Sequence, residues 1–142
     1  MIGILLVTHN GLGDSLLDCV QHVLGTMPPN LKALPVRVGD DPQRKEDEVR
    51  ALIAQLDTGY GVLLLSDAFG ATPSNIARKL CEPGRVEGIA GVNLPMLLRA
   101  VCNSRKPLAE VAHKALEGGR ECIIPMDSES EQCNVAAGCA NS

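Results

Sequence analysis

Two side chains able to do chemistry sit immediately after buried-looking apolar runs. His9 follows Ile2 to Thr8, and Asp67 follows Val62-Leu63-Leu64-Leu65-Ser66. A carboxylate that accepts from one imidazole nitrogen fixes the tautomer and frees the other nitrogen as a nucleophile. It also stabilises the positive ring that forms when the free nitrogen takes a phosphoryl group. Gly11, Gly13, Gly70 and Ala71 let backbone amides come close to an anion. Helices opening near Asp14 and Thr72 would aim their N-termini at the same spot, where unpaired amides and the helix dipole favour negative charge. The Thr72 hydroxyl adds a neutral donor. His9 and Asp67 are therefore the candidate catalytic pair, and Asn10, Gly11, Gly70, Ala71 and Thr72 the candidate phosphate cradle.

The elements that must position this pair are legible from periodicity. Ile2 to Thr8 reads as a strand buried on both faces. Asp14 reads as an N-cap, followed by Leu16, Leu17, Val20, Val23 and Leu24 at helical spacing and a stop at Gly25. Leu31 to Val38 reads as a second strand. Asp41-Pro42 is a cap followed by a first-turn proline, and Val49, Leu52, Ile53 and Leu56 mark an amphipathic helix. Val62 to Ser66 is a third buried strand. Thr72-Pro73 repeats the cap-then-proline signal and opens a helix through Ile76, Ala77 and Leu80. Val86 to Val92 is a fourth strand and Leu94 to Val101 a short apolar helix. Leu108, Val111, Ala112, Ala115 and Leu116 line a last helix closed by Gly118-Gly119, and Cys122-Ile123-Ile124 reads as a short final strand.

Alternating strands and helices predict an open α/β domain with a mostly parallel sheet flanked by helices. In such sheets the site lies at the carboxyl ends of the strands, near a topological switch point. That singles out the loops Thr8 to Gly13 and Ser66 to Thr72. The domain is expected to span 1–126, with 127–142 a polar, frayed tail.

Composition excludes several classes of function. Among 142 residues only 1% are aromatic, and the net charge is -4. There is no basic footprint for nucleic acid and little to stack bases on. The apolar N-terminus lacks a basic region, and no apolar run approaches the length of a membrane helix, so the chain reads as cytoplasmic without membrane insertion. Gly11-Leu12-Gly13 lacks the third glycine of a dinucleotide loop, and no Walker lysine follows a glycine run. No metal or cofactor is expected. The six cysteines form no C-x-x-C pair. They read as reduced thiols, with Cys133 and Cys139 in the tail open to oxidation on storage. His22, His113 and the Arg44 to Arg50 charge run read as solvated surface.

Three motifs in register carry a resemblance. Val7-Thr8-His9, Leu64 to Asn75 (LLSDAFGATPSN) and Ile89 to Leu97 (IAGVNLPML) together resemble the mannose-family EIIA domain of the bacterial phosphoenolpyruvate-dependent sugar phosphotransferase system. The likeness runs from residue 1 to about 126. It implies that His9 is the phosphorylated histidine, Asp67 its hydrogen-bonded partner and Thr72 a hydroxyl of the phosphate pocket. Gly91 to Pro95 would be a signature turn beside the site. It further implies phospho-HPr as donor, an EIIB domain as acceptor, and a homodimer exchanging a short antiparallel strand at Cys122 to Ile124. Asn10 departs from the glycine common after the histidine. Ala68 and Phe69 stand where relatives carry a hydroxyl residue and Trp. The stretch from Asp127 is too short for an EIIB domain, which leaves two outputs open: a separate EIIB for sugar uptake, or a regulatory target read by phosphorylation state. The phosphocarrier of dihydroxyacetone kinases shares the fold but has a different loop after the third strand. A non-catalytic interaction module fits the three motifs least.

Overall fold

A computed structural model describes residues 1–129 and 133–139. The chain runs β1 (Gly3–His9), α1 (Leu12–Leu24), β2 (Leu31–Val36), α2 (Pro42–Leu56), β3 (Val62–Ser66), α3 (Thr72–Lys79), β4 (Val86–Ala90), α4 (Leu94–Cys102) and α5 (Leu108–Glu121). The four strands form one all-parallel sheet in the order β2-β1-β3-β4. Because β2 lies on one side of β1 and β3 on the other, the order reverses between β1 and β3. The crevice expected from the sequence falls there.

Strand alternation divides the interior into two cores. Ile4 and Leu6 of β1 and Leu63 and Leu65 of β3 face α1, α4 and α5, together with Val20, Leu97, Leu98 and Val111. Leu5, Val7, Val62 and Leu64 face α2 and α3, against Val49, Ile53, Leu56, Ile76 and Ala77. Burial on both faces is why β1 and β3 read as unbroken apolar runs. The packing is tight at the ends. A Cβ on Gly3 would come within 2.6 Å of Leu56 Cβ, so α2 rests directly on the start of the strand that carries His9.

Several local expectations are corrected. α1 starts three residues earlier than an Asp14 cap would allow. Gly11 occupies the cap position and Asp14 lies in the first turn, where its charge still favours the helix N-terminus. β1 persists through His9 and a single left-handed residue, Asn10 at φ 48, reverses the chain. The Thr8 hydroxyl then accepts from the Gly13 amide at 2.9 Å, a capping contact made from the strand. α3 is capped by Ala71, with Thr72 already helical, and Asp41 caps α2 as expected by accepting from Gln43 N at 3.1 Å.

β2 and β4 stop two residues short of the expected Val38 and Val92. α5 continues through Gly118-Gly119, which do not end it. Both glycines are buried against α4, and a Cβ would meet Arg99 Cβ at 3.0 Å and Met96 Cε at 2.9 Å respectively. Their role is close helix–helix approach.

Cys122 ends α5, and Ile123 and Ile124 form no strand within this chain. The cysteine reading is corrected as well: Cys102 is joined to Cys139 and Cys122 to Cys133, leaving Cys19 and Cys81 as thiols. Spacing gave no sign of these pairs, because each joins a helix end to the chain's last residues. Residues 133–139, expected to fray, lie against α4; residues 130–132 and 140–142 of the expected tail are outside the described residues.

Candidate active site

His9 is the last residue of β1, on the same face as Leu5 and Val7. Val7 pairs in register with Ser66, so the chain leaving β3 at Asp67 emerges beside the chain leaving β1. The result is a direct contact between residues 58 positions apart: His9 Nδ1 lies 2.7 Å from Asp67 Oδ2. The same oxygen accepts from the His9 amide at 3.1 Å, and Oδ1 accepts from the Ala68 amide at 3.1 Å. Both carboxylate oxygens are thus committed to N–H donors, and the side chain is only 12% exposed.

Partial burial pushes the Asp67 carboxyl up. Hydrogen bonds from the His9 ring, the His9 amide and its own amide outweigh that and hold it below the usual carboxylate range. Asp67 is therefore ionised at neutral pH and accepts only. The proton on the 2.7 Å contact must belong to His9 Nδ1, which leaves the lone pair on Nε2. Nε2 has no protein partner among the described residues, and the His9 side chain is half exposed. A fixed tautomer with an open, unpaired nitrogen is the geometry of a nucleophile.

The structure places Asn10, Gly11, Gly70 and Ala71 in the loops flanking this pair and Thr72 at the first position of α3, but it does not leave all of their amides open. Asn10 N donates to Val36 O at 3.0 Å, Gly70 N to Ser74 Oγ at 3.0 Å and Ala71 N to Ala68 O at 3.3 Å. The amides of Gly11 and Thr72 have no acceptor among the described residues, and Thr72 is exposed. Asn10 explains its own departure from glycine, since Asn is among the few residues that tolerate the left-handed region.

Two contributors, Ser74 and Thr8, were given no role by sequence reasoning, and Asn93 was placed only within the Gly91 to Pro95 turn. Ser74 closes the Asp67 loop by accepting from Gly70 N and donating to Ala71 O at 3.2 Å. Thr8 holds the first turn of α1. Asn93 caps α4 by accepting from Met96 N at 2.9 Å and donates to Gly119 O at 3.0 Å. The turn before Asn93 is tied to the site: the Gly91 and Val92 amides both donate to Ser66 O at 2.9 Å, one residue before Asp67. A hydroxyl at the end of a buried strand followed by a glycine turn was the available signal for Thr8. Ser74 sits where a first-turn hydroxyl can reach back to its own loop.

Phe69, two residues past Asp67, is 80% exposed and rests 6.0 Å from the Arg78 guanidinium. Leu12, at the start of α1, is also exposed. His22 and His113 are surface residues as expected, the latter 3.4 Å from Glu117. Among the described residues no group of three or more His, Cys, Asp or Glu is placed to share a metal ion. No helix is long and apolar enough to cross a membrane.

Residues 3–116 match the family model EIIA-man, described as the PTS system fructose IIA component. The chain is 32% identical over 125 residues to the PTS system mannose-specific EIIAB component of Escherichia coli (strain K12), covering 86% of this chain and 38% of that protein. The chain therefore spans well under half the length of that relative. It is also 32% identical over 110 residues to the PTS system fructose-specific EIIA component of Bacillus subtilis (strain 168), covering 77% of this chain and 74% of that one. In fold it superposes on the phosphotransferase system component EIIA from Streptococcus agalactiae with a TM-score of 0.79 at 21% identity, covering 88% of this chain and 97% of that one. The mannose/sorbose specific IIA subunit from Enterococcus faecalis gives the same TM-score at 20% identity, covering 91% and 97%.

Proposed function

The chain belongs to the EIIA-man family of the phosphotransferase system, and from that premise we propose that it is a phosphoryl carrier whose acceptor atom is His9 Nε2. The observation that carries this reading is the 2.7 Å contact between His9 Nδ1 and an ionised Asp67. In the proposed step Nε2 attacks the phosphorus of phospho-HPr. The new P–N bond forms as the donor's P–N bond breaks, roughly in line. The ring of His9 becomes positive while Nδ1 keeps its proton, and the Asp67 carboxylate faces that charge. The amides of Gly11 and Thr72 and the Thr72 hydroxyl hold the phosphoryl oxygens. Asn10, Gly70 and Ala71 shape the loops that present them. The N-termini of α1 and α3 add their dipoles. In a second in-line transfer the His9 P–N bond breaks as a nucleophile of an EIIB component bonds the phosphorus, which passes the group on for sugar uptake, in the cytoplasm. Phe69 and Leu12 supply apolar contact for the protein partners beside the histidine.

Purified phospho-HPr should convert the protein to a form carrying one acid-labile, base-stable phosphoryl group. Transfer should proceed at an unchanged rate in excess chelator, because the group moves between two histidines and fixed amide donors meet its charge. Failure to label from phospho-HPr would remove the proposed function; labelling that chelator stops would remove the metal-free step.

The carrier is read as a homodimer. Ile123, 74% exposed, and Met126, 102% exposed, are apolar residues left open just past α5. β4 is a sheet edge whose outer side is bridged at Val86, to Glu82, and pairs with no further strand among the described residues. Both observations support a strand contributed by one protomer to the other. Light scattering at micromolar concentration should return twice the chain mass, and a monomeric mass would overturn the exchange.

A further inference from the structure

Both disulfides tie the end of the chain to the last two helices. Cys102, at the C-terminal end of α4, pairs with Cys139 at a Cα separation of 4.6 Å. Cys122, just past α5, pairs with Cys133 at 5.0 Å. Between these two points residues 133–139 lie along α4. The Arg99 guanidinium donates through Nη2 to Asn134 O at 2.8 Å, and Asn103 Nδ2 donates to Ala137 O at 2.9 Å and to Arg99 O at 2.7 Å. Arg99 and Asn103 are only 7% and 3% exposed. The tail covers them and supplies their acceptors.

The non-covalent part of this dock is thin. Among the described residues it has two side-chain hydrogen bonds to tail carbonyls, an Arg99 Nε with no partner, two small half-buried alanines, Ala136 and Ala137, and one larger apolar side chain, Val135, still 38% exposed. Net hydrogen-bond gains of this kind do not offset the conformational entropy of ordering a polar segment. Cross-links that restrict the free segment do so instead. The docked state is therefore conditional on the disulfides. All four bonded cysteines are only half-buried, so exchange partners can reach them. Resting on the cytoplasmic reading proposed above, disulfides there are transient and redox-sensing rather than permanent.

We propose that the Cys102–Cys139 and Cys122–Cys133 pairs form a reversible redox clasp, which docks the tail on α4 when oxidised and releases it to uncover the Arg99–Asn103 surface when reduced. A dithiol reductant opens each bond by thiolate attack on one sulfur, breaking S–S and forming a mixed disulfide. Its second thiol then resolves that intermediate. Two electrons and two protons pass to the protein's cysteines, and the reductant leaves as a disulfide. Oxidised glutathione reverses the step, each protein disulfide formed releasing two molecules of glutathione. Cys81 is a poor competitor in the exchange, since burial and the nearby Glu87 charge push its thiol up and keep it protonated.

The test uses the full chain equilibrated with oxidised glutathione, then denatured and alkylated. Two cysteines, Cys19 and Cys81, should take the label, and peptide mapping should return the pairs 102–139 and 122–133. Dithiothreitol on the native protein should raise the count to six. It should also speed hydrogen exchange of the segment 133–139 at least tenfold, with β1 and β3 unchanged, and oxidised glutathione should restore the slow rate. The variant Cys133→Ser/Cys139→Ser alters only the tail and should exchange fast with or without reductant. Six labelled cysteines after oxidation, other pairings, unchanged exchange on reduction, or bonds that resist dithiothreitol would each overturn the clasp. Phosphorylation of His9 enters none of these readouts, so the clasp and the carrier function fail independently.

Discussion

His9→Ala should abolish phosphorylation by phospho-HPr while leaving the fold intact. No other group can substitute, because the reaction needs one nitrogen with a held tautomer and an open face. His22 and His113 are exposed on helices and have no carboxylate arranged as Asp67 is. Loss of a covalent acceptor removes the reaction path itself, so the expected effect is on the order of a thousandfold or more, down to background. The His9 side chain is 50% exposed at the end of its strand and contributes little to either core. Its removal should therefore shift thermal unfolding only slightly. Intact-mass measurement after incubation with phospho-HPr gives the answer directly. Label persisting in the variant, mapped to His22 or His113, would refute the assignment.

Asp67→Asn is the second large effect, and the geometry makes it more severe than the loss of one charge. Oδ2 accepts from His9 Nδ1 and His9 N, and Oδ1 accepts from Ala68 N. Asparagine has one accepting oxygen and one donating nitrogen, so either orientation sets donor against donor. If its amide nitrogen faces the ring, His9 is driven to the tautomer with its proton on Nε2, where the phosphoryl group must go. If its oxygen faces the ring, the Ala68 amide loses its acceptor and the phosphorylated imidazolium still lacks its counter-charge. A charge-assisted hydrogen bond of this kind is worth about 1.5–3 kcal/mol, or roughly ten- to a hundredfold in rate or equilibrium. Phosphotransfer should fall by at least tenfold, with melting close to native at neutral pH. Transfer at the wild-type rate would make Asp67 a loop brace and not a positioning partner.

The acid limb supplies a control. The folded-state value for Asp67 is lowered from 3.8, so its contribution to stability is fully present above 3.8 and lost as pH falls through the lower folded value. Asp67→Asn should flatten that part of the stability profile and leave the profile above 3.8 unchanged in shape. A variant that instead unfolds at neutral pH would show that the carboxylate supports the scaffold.

The sequence by itself determined the layered α/β plan and the pair at its centre. Unbroken runs such as Ile4 to Val7 and Val62 to Leu65 read as strands covered on both sides, hence a sheet flanked by helices; the division into two helices on one face and three on the other came from the packing. A histidine and an aspartate at the ends of two such strands then fall together, provided those strands are neighbours. Local chemistry sufficed where a signal acts within one turn, as at the Asp41 cap and the Gly25 stop.

The tertiary structure decided what depends on distant partners. Adjacency of β1 and β3 is a property of strand order, and it sets the 2.7 Å contact that selects Nε2. Gly118 and Gly119 look like a helix stop in sequence, yet they are sites of contact with Arg99 and Met96, and only a packed α4 makes that distinction. Three of the five candidate cradle amides are already consumed, those of Gly70 and Ala71 within their own loop and that of Asn10 by Val36 O of β2, which residue type cannot reveal. The cysteine pairs join helix ends to residues 11 and 37 positions away, so no local spacing encodes them. Short-range physics is written in neighbouring residues, whereas pairing across the fold depends on which surfaces the whole chain brings into register.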